Sequence, residues 1–137
     1  YFARLSLPAR EAGLDFGFYY YVTAVTVAQA QRQAHRFANL IRNTGYTARP
    51  AMDFETFQGL TSSEIRAIAL AFMETLQRQS GCVPMLYTDA YNAKTIWDAA
   101  FQAYPLWMTR SGPDGLPISI PTMAGFPEST VQSIWIT

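Results

Sequence analysis

Residues 15–55 read DFGFYYYVTAVTVAQAQRQAHRFANLIRNTGYTARPAMDFE, a strand, a helix and a second strand in succession. Asp15 to Val22 is aromatic and β-branched, the composition of a strand. Thr26 then opens a helix, and Gln29 three residues on matches a capping box. Val27, Ala30, Ala34, Phe37 and Ile41 recur at spacings of three and four, one face of that helix. Gly45 closes it. Ala48 to Glu55, ARPAMDFE, is the next strand, with Pro50 near its start because proline cannot donate to a central ladder.

The same alternation runs on. Thr61 and Glu64 form a second capping box, Ile65, Ile68, Phe72 and Leu76 form a buried stripe, and Gly81 ends the helix. Cys82 to Thr88, CVPMLYT, is a third strand. Asp89 caps a third helix that carries Ala93, Ile96, Trp97 and Ala100 inward. Tyr104 to Thr109 is a fourth strand, the stretch from Ser111 to Pro127 is turn and loop, and Val131 to Thr137 is a fifth strand. Upstream, Ala3 to Leu14 looks like the end of a helix with Gly13 as its stop. Strands alternating with helices of about fifteen residues predict a parallel sheet with right-handed crossovers. The strands are near-continuous apolar runs, as when both sheet faces are covered. A doubly wound sheet and a barrel share this pattern, and both stay open at this point.

Composition narrows the function. Half of the 137 residues are hydrophobic and 15% are charged, so the chain can bury a core. Ten basic residues balance ten acidic ones, which leaves no basic footprint for nucleic acid. No apolar run reaches the roughly 18 residues of a membrane span. The one cysteine, Cys82, cannot form an internal disulfide. There is no G-x-S-x-G, G-x-G-x-x-G or P-loop, so serine-elbow chemistry and nucleotide binding lack their residues. His35 lies beside the apolar stripe of its helix and is expected in solvent. Arg110 follows the fourth strand, where it meets an anionic group or water.

The chemistry concentrates at Asp53-Phe54-Glu55. Residues two apart on a strand share a face, so the two acids project side by side with Cα atoms roughly 6.5–7 Å apart. They stand at the C-terminal end of a strand, where parallel α/β folds bind ligands. Neighbouring carboxylates resist ionising together, so one pKa rises and that group can serve as general acid. Such a division suits glycosidic bond cleavage. A solvated strand end whose acids cap the next loop is the plainer alternative. No histidine or third acid joins them, so neither a metal nor a cofactor is expected. Tyr19 or Tyr21, Tyr87 and Trp107 fall near the ends of their strands and can ring the same mouth. Their flat apolar faces with polar edges suit the C–H face of a sugar.

These pieces, in this order, resemble the glycoside hydrolase family 25 muramidases, lysozymes that cut peptidoglycan. GLDFGFYYYV is similar to the family's glycine–aromatic strand, PAMDFE to its D-x-E strand, VPMLYT to its P-x-I-Y-T strand, and YPLWMTR to its P-L-W-I-A-R strand. VQSIWIT is similar to the start of its tryptophan-containing strand near the C-terminus. The resemblance implies an irregular TIM-like β/α barrel with parallel strands, incomplete in this chain. It implies hydrolysis of the β-1,4 link between N-acetylmuramic acid and N-acetylglucosamine, with Glu55 as proton donor and Asp53 as a charged partner. It places Tyr19, Tyr87 and Trp107 along the sugar groove. Peptidoglycan glycan strands are then the partner, a monomer the working state, and the cell exterior or cell wall the location.

Three departures accompany the likeness. The family's first strand carries another site aspartate, which no residue before Tyr1 supplies. Its tyrosine–histidine–phenylalanine run reads Tyr19-Tyr20-Tyr21, and its tryptophan–glutamine–tyrosine reads Trp135-Ile136-Thr137. Closed barrels of this sort take about 200 residues or more. Residues 1–137 are accordingly expected to be one partial domain without the first strand and the closing segment. Rivals are a non-catalytic glycan-binding module on the same barrel, a chitinase-like barrel hydrolase, and a doubly wound protein whose acids face solvent.

Overall fold

The computed structural model describes residues 17–55, 57 and 59–108. The expected helix end at residues 3–14, Arg110, the stretch 111–127 and the fifth strand at 131–137 lie outside the described residues. Within them the elements are β1 (Tyr19–Tyr21), α1 (Val27–Ile41), β2 (Ala51–Asp53), α2 (Ser62–Ser80), β3 (Met85–Thr88), α3 (Ala90–Thr95), a 3-10 turn (Ala99–Phe101) and β4 (Leu106–Met108). The strands are shorter than the apolar runs that announce them. Proline sets the start of three, since Pro50, Pro84 and Pro105 immediately precede β2, β3 and β4. A proline gives no N–H to a ladder, but its carbonyl still accepts. Pro50 O takes the Met85 N–H at 2.8 Å, and Pro105 O takes the Leu86 N–H at 2.9 Å.

All neighbouring strands are parallel and follow chain order, β1-β2-β3-β4. The register sets Tyr21, Asp53, Tyr87 and Trp107 in one row across the sheet. Alternation then sorts the side chains into two layers. Phe18, Val22, Met52, Phe54 and Leu86 belong to the core that α1 and α2 cover, with Ala34, Phe37, Phe72 and Leu76 opposite them. Tyr20 joins that side, its ring 5.4 Å from Phe37 and 5.8 Å from Phe72. The other face holds a separate cluster of Ala48, Ala51, Met85 and Trp107, with Tyr19 and Tyr87 against it. Strands in chain order with both long helices on one face make a barrel wall, whereas a doubly wound sheet carries helices on both faces. The described residues therefore form a four-stranded sector of a β/α barrel, and the doubly wound alternative falls away.

Three local expectations hold. Thr26 accepts from the Gln29 N–H, Thr61 from the Glu64 N–H, and Asp89 from the Asn92 N–H. Gly81 ends α2 at φ +78°, the left-handed turn that suits glycine. His35 is exposed as expected. Others need correction. α1 stops at Ile41, before Gly45, because Asn43 already turns left-handed at φ 70° and Thr44 Oγ1 donates to the Ile41 carbonyl at 2.7 Å. Val27, expected inward, is 42% exposed in the first turn of α1. The third helix breaks after Thr95. Asp98 caps a new 3-10 turn through the Ala100 N–H, and Arg66 of α2 donates to the Ile96 carbonyl and pairs with Asp98 at 3.6 Å. Ile96 and Trp97 are still buried, while Ala100 faces out.

Candidate active site

Asp53 ends β2, and Phe54 follows it into the helix-covered core, where its ring meets Phe57 edge-on at 5.3 Å. With Met52 and Phe54 both held on that side, the flanking acids turn to the opposite face. Asp53 and Glu55 do come together there, joined by a side-chain hydrogen bond. Their settings differ. Asp53 is 7% exposed, and its Oδ1 takes no hydrogen bond from the described residues. Glu55, two residues nearer the loop, is exposed.

Burial comes first among the causes that push the Asp53 carboxyl up to about 8, followed by the hydrogen bond to Glu55 and the Glu55 charge. Of the two acids, Asp53 is thus the one whose charge the fold disfavours. The resemblance implies a charged Asp53, and burial works against that charge. Tyr19 lies within reach of both acids. Its hydroxyl is raised by burial, then by the charges of Asp53 and Glu55.

Tyr87 stands beside Asp53 in the register, and its ring meets Trp107 edge-on at 5.0 Å. Tyr19 and Tyr87 are half-buried and line the acid-bearing face. Trp107 is 3% exposed, so it backs Tyr87 and offers no open platform of its own. Sequence reasoning missed a further group. Glu55 shares a small cavity with Tyr87, Thr88, Asp89 and Asn92. Asp89 was read only as a helix cap, although its place just past a parallel strand is itself a signal. Among the described residues, no three metal-ligating side chains cluster.

A family model described as glycosyl hydrolases family 25 matches residues 1–116. The chain belongs to glycosyl hydrolase family 25. Solved structures agree with the family at the level of fold. The spore cortex lytic enzyme SleM of Clostridium perfringens is 21% identical with a TM-score of 0.72, over 91% of this chain and 45% of that one. The modular autolysin LytC of Streptococcus pneumoniae, solved with a synthetic peptidoglycan ligand, is 14% identical with a TM-score of 0.64, over 90% of this chain and 34% of that one. This family 25 chain thus spans less than half the length of each of these solved relatives. No curated protein matches it by sequence. Among the described residues, no helix is long and apolar enough to cross a membrane.

Proposed function

We propose that the protein is a peptidoglycan hydrolase, a muramidase that cuts the β-1,4 bond between N-acetylmuramic acid and N-acetylglucosamine, outside the cell or at the cell wall. The observation that carries this is the Asp53–Glu55 pair, in which burial and the hydrogen bond to Glu55 push the Asp53 carboxyl up, beside Tyr19 and Tyr87. Membership of glycosyl hydrolase family 25 supports it, as do a lytic enzyme and an autolysin of the same fold.

The geometry suggests the roles. Exposed Glu55 faces the glycosidic oxygen, with buried Asp53 behind it. A sugar seated on Glu55 displaces the water that steadies its charge, and the proton held by Asp53 moves along the hydrogen bond. Glu55 then protonates the leaving oxygen, and Asp53, now anionic, steadies the oxocarbenium-like transition state or the substrate's acetamido N–H. Carboxyls in hydrogen-bond contact stand closer than the ~5–5.5 Å of a nucleophile–acid pair. This favours the route that the family resemblance implies, in which the substrate's own acetamido oxygen is the nucleophile and Asp53 is not.

Glu55→Gln tests the assignment. Clearance of a purified cell-wall suspension and release of reducing ends should fall about 10²–10⁴-fold while the circular dichroism spectrum stays native. Unchanged clearance by that variant removes Glu55 as the acid. Product analysis on chitin oligomers beside cell wall separates the muramidase from a chitinase-like enzyme.

A further inference from the structure

The balanced charge of the whole chain conceals a segregation along it. Residues 16–52 contain no aspartate or glutamate, yet they hold Arg32, His35, Arg36, Arg42 and Arg49. Arg49 is engaged, its guanidinium donating to the Val83 carbonyl at 3.0 Å. Arg42, the C-terminal cap of α1, donates to Asn39 Oδ1 at 3.1 Å. Arg32, His35 and Arg36 are exposed on α1. Spacings of three and four place them on one side of the helix, away from buried Ala30, Ala34, Phe37 and Ile41.

No local stabilisation explains these cations. Like charges four apart on a helix repel, and Arg32 and Arg36 stand so, one turn or about 6 Å apart along the axis. Neither lies in the last turn, where a cation favours the helix dipole, and that turn carries no basic residue. Among the described residues the ion pair joins Arg66 to Asp98, so neither arginine meets a carboxylate there. On neighbouring α2, Glu64 accepts the Thr61 hydroxyl and Glu74 lies by Tyr104. The stripe also belongs to a helix on the sheet face opposite the two acids, so an anion bound on it is kept away from them.

Guanidinium groups take phosphate in bidentate pairs, and a row of them takes a linear polymer of phosphates. A lipid surface needs an exposed apolar face beside the charges. On α1 that face is buried, and its exposed large hydrophobics are Val27 and Leu40, near opposite ends. A single nucleic-acid strand needs rings on which its bases stack, and Phe37, the one Phe, Tyr or Trp of α1, is buried.

We infer that the outer face of α1, centred on Arg32 and Arg36, binds a linear phosphodiester polymer of the kind borne on cell walls. The choice of that polymer rests on the cell-wall location proposed above. Isothermal titration of the full chain with poly(glycerol phosphate) at low salt tests it. The double variant Arg32→Gln/Arg36→Gln should weaken binding about tenfold or more. The slope of log Kd against log salt should fall by about two, one for each charge removed. Thermal melting should hold, because both side chains are exposed; should the double variant unfold, Arg36→Gln alone carries the comparison. Arg78→Gln, at an exposed arginine of α2, should bind as the parent does. Equal affinity of double variant and parent, an equal loss in Arg78→Gln, no binding by the parent, or tighter binding of single-stranded DNA or anionic phospholipid vesicles overturns the inference. Release of reducing ends from cell wall stripped of its phosphodiester polymers tests the hydrolase separately. Polymer binding that depends on Arg32 and Arg36, without any such release, keeps the surface and removes the hydrolase.

Discussion

Asp53 shows how burial sets a charge. Its folded pKa of about 8 lies well above the ordinary 3.8, so the folded protein binds that proton more tightly than the unfolded chain does. The resulting stability is complete below about pH 4 and is lost as pH rises through about 8. Asp53→Asn, neutral at every pH, should flatten that limb. Thermal unfolding at pH 5 and pH 9 checks this: the parent should lose more stability between the two than the variant. A variant with an undiminished pH response would show that another group carries the titration. In the proposed mechanism the same proton supplies the catalytic acid, so kcat/KM on cell wall should fall above about pH 8 with a one-proton slope.

The helices carry their own local instructions, and these are open to separate tests. Thr61 accepts the Glu64 N–H at 3.2 Å and donates to the Glu64 carboxylate at 3.1 Å. Thr61→Ala should cost about 1 kcal/mol in urea unfolding. At the other end of α2, Gly81 holds φ +78°, and a side chain there has open space but a strained backbone. Gly81→Ala should therefore destabilise by about 1 kcal/mol from conformation alone. The break of the third helix belongs here too. Capping chemistry at Asp98 is visible in the chain, but the Arg66 guanidinium that takes the Ile96 carbonyl comes from α2, thirty residues earlier. Local periodicity could not reveal that competitor, so one long helix was expected where a short helix and a 3-10 turn exist.

Across the molecule, the two faces of the sheet divide the labour. Helices α1 and α2 cover one face, where Phe72 is fully buried between Tyr20 and Phe37. Phe72→Ala should lower stability by about 3–5 kcal/mol, read from chemical denaturation. A loss below 1 kcal/mol would mean that this layer is not the main core. The opposite face is free to carry acids and tyrosines because the helix-covered face already supplies the burial. Structural likeness to SleM and LytC extends over about nine-tenths of this chain, which ties that face to a barrel interior.

Much of this was legible in the chain because it depends on near neighbours. Thr26, Thr61 and Asp89 cap helices through bonds three residues long, prolines mark strand starts, and the two-residue period of a strand sends Asp53 and Glu55 the same way. Three things were decided only by the tertiary structure. The side on which the helices pack separates barrel from doubly wound sheet, and it follows from how α1 and α2 meet the strands. The Asp53 carboxyl is pushed up, and Trp107 is sunk behind Tyr87, because burial is a sum over residues far apart in sequence. The cavity joining Glu55 to Asn92 exists because β2 and β3 lie side by side. Spacing along a chain dictates direction and local bonds; depth, and with it charge, is conferred by everything that folds around a residue.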